Sequence, residues 1–384
     1  MNGIWYYIIA FILIWMIVLI FKNKLVNYGL EIEFPLLMWK TSRFRGFINR
    51  IANISPKFWK WFMNIGIVIS FGLMIFITYS LLYSLQTLFE TPSVSIIIPG
   101  VEIPGSPIYI PLGYGLFGLA TVLIVHEFSH GILARVEKIN IKSIGLLLFT
   151  ILPGAFVEPD EEELHNSSRI SKLRVYCAGS MANITLATIA LIFTIFISSF
   201  AIPAAFDNNG MEIVKVMDNS PAEGVLKEGM VIESIDNHKI NNYSDYVSIA
   251  SNYKPDQNVT ISTDSGSYTF ELDKHPDNSS KGYVGIQTNI HYEISNETNK
   301  IFGSQIPWVL FNLLELFKWI FFLNLGVGSF NLLPIKPLDG GHMLETLLSY
   351  KVSKKHYKPV MKIISIVLVA IILFSIIFSM VLAI

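Results

Sequence analysis

Val122-Leu123-Ile124-Val125-His126-Glu127-Phe128-Ser129-His130-Gly131-Ile132-Leu133 is an apolar run broken by three polar side chains that do not belong in one. It closes a longer hydrophobic stretch, Leu112–Leu133. About 20 such residues suffice for a helix to cross the hydrocarbon of a bilayer. In that helix His126 and His130, four residues apart, share one face and can hold one zinc ion. Glu127 then falls beside the metal as a general base. A charged residue at mid-membrane costs roughly 2.5–3.5 kcal/mol on insertion scales. A divalent cation is the partner that a glutamate and two histidines there require. The plainer alternative is a polar cluster that glues helices together.

The rest of the chain agrees with a membrane setting. Of 384 residues, 52% are hydrophobic and only 15% are charged, against about 25% charged in an ordinary soluble protein. Five further stretches reach spanning length: Gly3–Phe21, Ile65–Ser84, Ala178–Phe200, Phe311–Leu333 and Ile363–Leu382. The first lacks a basic start and is followed by Lys22 and Lys24, so it reads as a retained span rather than a removable signal. Glu315 and Lys318, inside the fifth, are spaced to pair on one helix face. The loops after the first and third stretches and before the last are rich in Lys and Arg, whereas Leu85–Pro111 has none. Basic loops stay in the cytoplasm. Both termini and the long segment Ala201–Gln305 are therefore expected outside it. Net charge is −1 and no basic face is evident, which argues against a nucleic-acid partner. The lone Cys177 excludes a disulfide framework or a cysteine-rich zinc site.

A catalytic zinc takes three protein ligands plus water. The candidate third ligand is Asp339, in Asn331-Leu332-Leu333-Pro334-Ile335-Lys336-Pro337-Leu338-Asp339-Gly340-Gly341. Pro334 and Pro337 must break the helix there. Broken backbone at membrane depth survives only where protein buries it or a wet cavity lines it. A solvated turn at the interface is the alternative. By the loop charges, this stretch and the His-Glu-x-x-His motif both lie toward the cytoplasmic side.

His-Glu-x-x-His on one spanning helix, followed far downstream by Asn-x-x-Pro-x-x-x-x-Asp-Gly, resembles the site-2 protease family of intramembrane metalloproteases. Asn331, Pro334, Asp339 and Gly340 match the second motif. Ala178-Gly179-Ser180-Met181-Ala182-Asn183 is similar to the family's Gly-Pro-x-x-Asn pattern, with Ser180 in place of the proline. The resemblance covers about residues 112–343. It implies one zinc ion held by His126, His130 and Asp339, with Glu127 as base and Asn331 or Asn183 holding substrate or the oxyanion. It also implies a membrane-anchored protein substrate cut within or near its span. Ser220-Pro221-Ala222, followed by Gly229-Met230-Val231-Ile232 and Ile235-Asp236-Asn237, resembles a bacterial-type PDZ signature. Such a domain would take a peptide ligand as an added strand.

The expected fold is thus an α-helical polytopic membrane protein of about six transmembrane helices with an inserted small α+β, PDZ-like extracytoplasmic domain. Residues 1–110 would carry two helices and a cytoplasmic loop, and 111–200 the first part of the protease core. Residues 201–300 would form the inserted domain, and 301–384 the second core part with the last helix. Strands are expected at Met211–Val216, Met230–Ile235, Asn258–Thr263 and Ser267–Leu272, and a helix at Tyr243–Ala250. Ile141–Val157 is apolar but broken by Pro153-Gly154, as in a membrane hairpin that offers a strand edge to an unwound substrate. Competing functions are a membrane zincin whose third ligand is Glu345, a metal-ion transporter or metal-binding membrane protein, and an inactive scaffold.

Overall fold

A computed structural model describes residues 3–86, 96–104, 106 and 108–382; the connection Leu85–Pro111 therefore lies partly outside the described residues. Along the chain come α1 (Ile4–Asn27), β1 (Leu30–Glu33), β2 (Leu36–Thr41), α2 (Arg45–Ile54), α3 (Pro56–Tyr83), α4 (Leu112–Val136), β3 (Ile141–Phe149), β4 (Leu152–Pro159), α5 (Glu161–Asn166) and α6 (Arg169–Phe196). A π-turn leads from α6 into α7 (Ile202–Ala205). Then follow β5 (Phe206–Val216), β6 (Val231–Ile235), β7 (His238–Lys239), α8 (Tyr243–Ala250), β8 (Asn258–Thr263), β9 (Gly266–Glu271), β10 (Asp273–His275), β11 (Asn278–Tyr283), β12 (Ile286–Ile294) and α9 (Asn296–Phe302). The chain ends with α10 (Val309–Phe330), α11 (Asp339–Leu348) and α12 (Lys354–Leu382). Two compact units result: Met1–Thr194 with Glu315–Ile384, and Ile195–Leu314.

Six helical segments of the described residues are long and apolar enough to cross a membrane: Ile4–Asn27, Pro56–Tyr83, Leu112–Val136, Arg169–Ala205, Ile306–Phe330 and Lys354–Val381. The second, fourth and last begin earlier than hydropathy alone predicts, because Lys and Arg stems extend a helix past the apolar core while their charges reach water. Ser55 starts α3, its hydroxyl accepting from the Phe58 N–H, with Pro56 in the first turn. The fifth span stops at Phe330, three residues short of the apolar run, where the proline-bearing stretch leaves the helix. Large apolar side chains face outward, Leu19 and Val68 at 73% exposure each, as lipid contact requires. The pairing of Lys318 with Glu315 is present at 2.5 Å.

Lipid tails are as apolar as leucine, so helices in a bilayer associate through close packing of small residues rather than through hydrophobic burial. Small residues of α4 and α6 are buried accordingly: Ala134, Cys177, Ala178 and Ser180 are fully buried, Cys177 against Met63 of α3, and Gly179 passes directly beside the histidines of α4. Cys177 is the small interior residue its surroundings suggest. Glu137 anchors the end of α4: Arg174 donates to it at 2.8 Å and Ser171 at 2.7 Å, and Lys60 stands 3.5 Å away.

The first unit also holds an antiparallel sheet in the order β1-β2-β3-β4. Its hairpin β3–β4 turns at Thr150 and Ile151, not at Pro153-Gly154. Thr150 takes a φ of 57°. Pro153 lies within β4 opposite Leu148, where a missing N–H costs nothing on a free edge. Strands β1 and β2 were not foreseen in the basic loop; β2 covers the other side of β3.

The second unit is a sheet in the order β12-β5-β6-β8-β9, with β7 beside β6. Its core contains Met211, Ile213, Ile232, Ile235, Val259 and Ile261, all fully buried. Met211 and Ile213, and Val259 and Ile261, sit at alternate positions, as a one-sided sheet demands; Ile232 and Ile235 are out of step, and the pairing of β6 with β8 shifts register between Ile232 and Ser234. Helix α8 is capped by Asn242, which accepts from the Asp245 N–H at 2.9 Å. The strands expected from alternation coincide closely with β5, β6, β8 and β9, and the helix with α8.

Candidate metal centre

Helical periodicity puts His126 and His130 one above the other on α4, with Nε2 atoms 3.2 Å apart. Asp339 arrives from the other end of the sequence. Residues after Phe330 leave the helix, Leu338 is extended, and Asp339 opens α11. The turn is locked by the Gly340 N–H, which donates to the Asn331 carbonyl at 2.8 Å. A Cβ on Gly340 would stand 2.1 Å from the Leu332 carbonyl oxygen, so no other residue permits that approach. Asp339 thus reaches the histidines, Oδ2 lying 3.4 Å from His126 Nε2 and Oδ1 3.4 Å from His130 Nε2. Ligands about 2.0–2.1 Å from a tetrahedral zinc stand roughly 3.3–3.4 Å from one another. Each histidine stands at that spacing from the other and from one oxygen of the carboxylate, one donor atom of each residue lies within 4.8 Å of the others, and two imidazoles with a carboxylate are zinc chemistry.

A second layer comes from α6. The Val175 carbonyl lies 2.7 Å from His130 Nδ1. It accepts the proton there and leaves Nε2 free. Ser180 donates to Asp339 Oδ2 at 3.0 Å. Asn183 lies against His126 Nδ1 at 3.2 Å. Gly179 makes room for all of this: a Cβ there would fall 2.4 Å from His130 Nε2 and 2.6 Å from His126 Nε2. The family pattern marks Gly179, Ser180 and Asn183 without saying what each touches, and Val175 escapes a sequence reading because valine in an apolar helix looks like packing.

The sequence profile of peptidase family M50 matches residues 114–375. This chain belongs to peptidase family M50, the site-2 protease family. Over 237 residues it is 29% identical to an uncharacterised protein of Methanocaldococcus jannaschii, covering 61% of this chain and 57% of that one. Over 139 residues it is 27% identical to the membrane-bound transcription factor site-2 protease homolog of Arabidopsis thaliana, covering 36% of this chain and 27% of that protein. The match thus spans little more than half of the first relative and about a quarter of the second. Among solved structures, the PDZ domains of SdrC-like proteins from Listeria monocytogenes and Listeria innocua align with 21% and 20% identity and TM-scores of 0.19 and 0.20. They cover 21% of this chain in each case, and 87% and 96% of those domains.

In this member of the M50 family, Glu127 accepts the Val157 N–H of β4 at 3.1 Å. That bond shows which way β4 faces. The Val157 N–H points away from β3, so by alternation the Ala155 N–H does too. Pro153 and Pro159 stand at the same alternate positions and offer no N–H. The free edge of β4 therefore has only two outward donors, at Ala155 and Val157.

Phe156 and Val157 separate two cavities of different character. On one side is an apolar cavity of about 370 Å³, lined by Trp39, Ile124, Glu127, Phe128 and Leu146. An apolar neighbour of about 430 Å³ shares Trp39, Ile124, Leu146 and Ala155 with it. On the other side is a cavity of about 700 Å³ lined by Glu158, Lys172, Tyr176, His342, Glu345 and Lys358. Burial, with the nearby Lys336 charge, holds His342 below its ordinary pKa. Glu345 is ion-paired with Lys336 and stands outside the donor cluster. Asn331 is half-buried, and its carbonyl rather than its amide holds the turn.

Proposed function

We propose that this chain is an intramembrane zinc metalloendopeptidase that hydrolyses peptide bonds within or near the spans of membrane-anchored proteins. The observation that carries the reading is the convergence of His126, His130 and Asp339 at metal-ligand spacing with Glu127 next in sequence, on a helix of spanning length. Zinc, when bound, supplies a Lewis acid that polarises the scissile carbonyl and acidifies a water.

Glu127 takes a proton from the attacking water as its oxygen bonds to the carbonyl carbon. It then delivers that proton to the leaving amine as the C–N bond breaks. Asn331 is the candidate to hold the substrate backbone. A spanning helix shields its own peptide bonds, and unwinding it in lipid costs several kcal/mol for each polar group left unpaired. The β4 edge offers a free N–H at Ala155, while the neighbouring outward N–H, that of Val157, is held by Glu127. Flanking prolines restrict the register, so an added strand is held at one place beside Glu127. The apolar cavities suit substrate side chains, and the polar cavity suits water.

The basic loops support an orientation with both termini and residues 201–300 outside the cytoplasm and the metal centre toward the cytoplasmic face. The second unit, on its Ser-Pro-Ala signature, is read as a PDZ-like domain that takes a peptide of the substrate or of a partner.

The test is zinc quantification on purified protein beside cleavage of a spanning-helix peptide. Glu127→Gln should keep one zinc and lose cleavage; Asp339→Ala should lose both. Cleavage retained by the Glu127 variant would refute the base assignment.

A further inference from the structure

We propose that Asn183 is a positioning residue that holds His126 in the tautomer able to bind a metal through Nε2. The proposal rests on the reading of His126, His130 and Asp339 as ligands.

A neutral imidazole that offers its lone pair at Nε2 carries its proton on Nδ1, and that N–H needs an acceptor. The two histidines meet this need differently. His130 faces the Val175 carbonyl at 2.7 Å, a group that can only accept, so its tautomer is fixed. His126 faces an amide. Asn183 is fully buried. Its amide nitrogen is 3.2 Å from His126 Nδ1, while its amide oxygen is buried with no hydrogen-bond partner. A buried acceptor without a donor costs about 1–3 kcal/mol.

Both facts fit one device. With the amide nitrogen on Nδ1, the imidazole carries its proton on Nε2, which faces Asp339 Oδ2 at 3.4 Å. Turning the amide by 180° brings its orphaned oxygen onto Nδ1. The ring proton moves there, Nε2 is bared, and the oxygen gains its missing donor. The same side chain can therefore answer either tautomer, which a carbonyl or carboxylate cannot, since neither donates.

This placement differs from the substrate-facing role that the sequence motif suggests. Nδ1 is on the opposite side of the ring from the donor cluster, so the imidazole stands between Asn183 and any reacting carbonyl. Asn183 lines none of the three cavities described above.

The test is zinc affinity, measured on the purified full chain in detergent by competition with a chromogenic chelator, alongside the visible spectrum of the cobalt-substituted protein. Asn183→Leu removes the acceptor and should weaken zinc binding about 10–100-fold, the usual cost of losing a partner behind a ligand. It should also alter the cobalt bands. Asn183→Asp keeps the acceptor and should stay within about threefold of wild type with an unchanged spectrum. If the leucine variant does not purify, Asn183→Ala takes its place with the same expectation. Wild-type affinity in the leucine or alanine variant overturns the proposal, and so does an aspartate variant as weak as either. If His126→Ala binds zinc as tightly as wild type, the ligand assignment itself fails and takes this proposal with it. Loss in that variant together with wild-type binding in Asn183→Leu removes the proposal alone.

Discussion

A single methyl group placed on Gly179 would occupy space that two imidazoles already fill. Its Cβ would lie 2.4 Å from His130 Nε2 and 2.6 Å from His126 Nε2, where ordinary contact begins near 3.4 Å. The methyl is fixed to a buried helix backbone, so the rings must retreat by roughly 1 Å. Metal sites tolerate errors of about 0.2 Å in ligand distance. Gly179→Ala should therefore lose zinc, or hold it in a geometry that costs about a hundredfold or more in turnover. Alanine is the better helix former by about 1 kcal/mol, so a loss would not come from melting α6. Zinc stoichiometry, peptide cleavage and thermal unfolding on the same preparation separate these effects. A Gly179→Ala protein that binds one zinc and cleaves at the wild-type rate would refute the placement of α6 behind the histidines.

Ser180→Ala removes the hydroxyl that orients Asp339 and should weaken zinc binding about tenfold without changing the fold, as chelator competition and far-UV circular dichroism would show. Ala155→Pro deletes one outward N–H of the β4 edge while leaving the ladder to β3 intact. With about 1 kcal/mol lost per hydrogen bond, kcat/KM should fall at least about fivefold with zinc unchanged; an unchanged rate would remove the edge from the docking model. Burial alone would raise the Glu137 carboxyl, but hydrogen bonds from Ser171 and Arg174 and the charges of Lys60 and Arg174 outweigh it and hold the pKa below the usual range. A depressed carboxylate stabilises the fold above its unfolded pKa, so this contribution should be lost as pH falls below about 4.5. Glu137→Gln should flatten that acid limb of a thermal-stability profile, and Glu137→Ala should cost about 3 kcal/mol by leaving Arg174 unpaired.

The donor set could be read from the chain because its spacing is physical. Four residues bring two histidines onto one helix face, and two prolines force a break where Asp339 stands. The sheet beside it was harder. Pro153-Gly154 reads as a turn, yet on a free edge a proline gives up nothing, and the chain turns instead at Thr150. Leu30-Glu31-Ile32-Glu33 does alternate, but four residues inside a basic loop are too short to stand out, and Leu36-Leu37-Met38-Trp39 of β2 does not alternate; β2 pairs along the edge of β3 left open by β4. On α6 the family pattern marks Gly179, Ser180 and Asn183 but not what each does, and nothing marks Val175. Gly179 matters through the space it leaves, and Val175 through a carbonyl that every residue owns. Glu345 was tempting by type alone, and its pairing with Lys336 is a tertiary fact.

Val175, Gly179, Ser180 and Asn183 all come from one side of α6. A carbonyl, a gap, a hydroxyl and an amide are therefore not four adjustable parts. Any lateral slide or rotation of that helix alters them together, so a shift of the backbone cannot retune one ligand and spare its neighbours. Whoever wishes to loosen or tighten this site must change end groups in place, such as hydroxyl for methyl or amide for carboxylate, and leave the rod itself where it is.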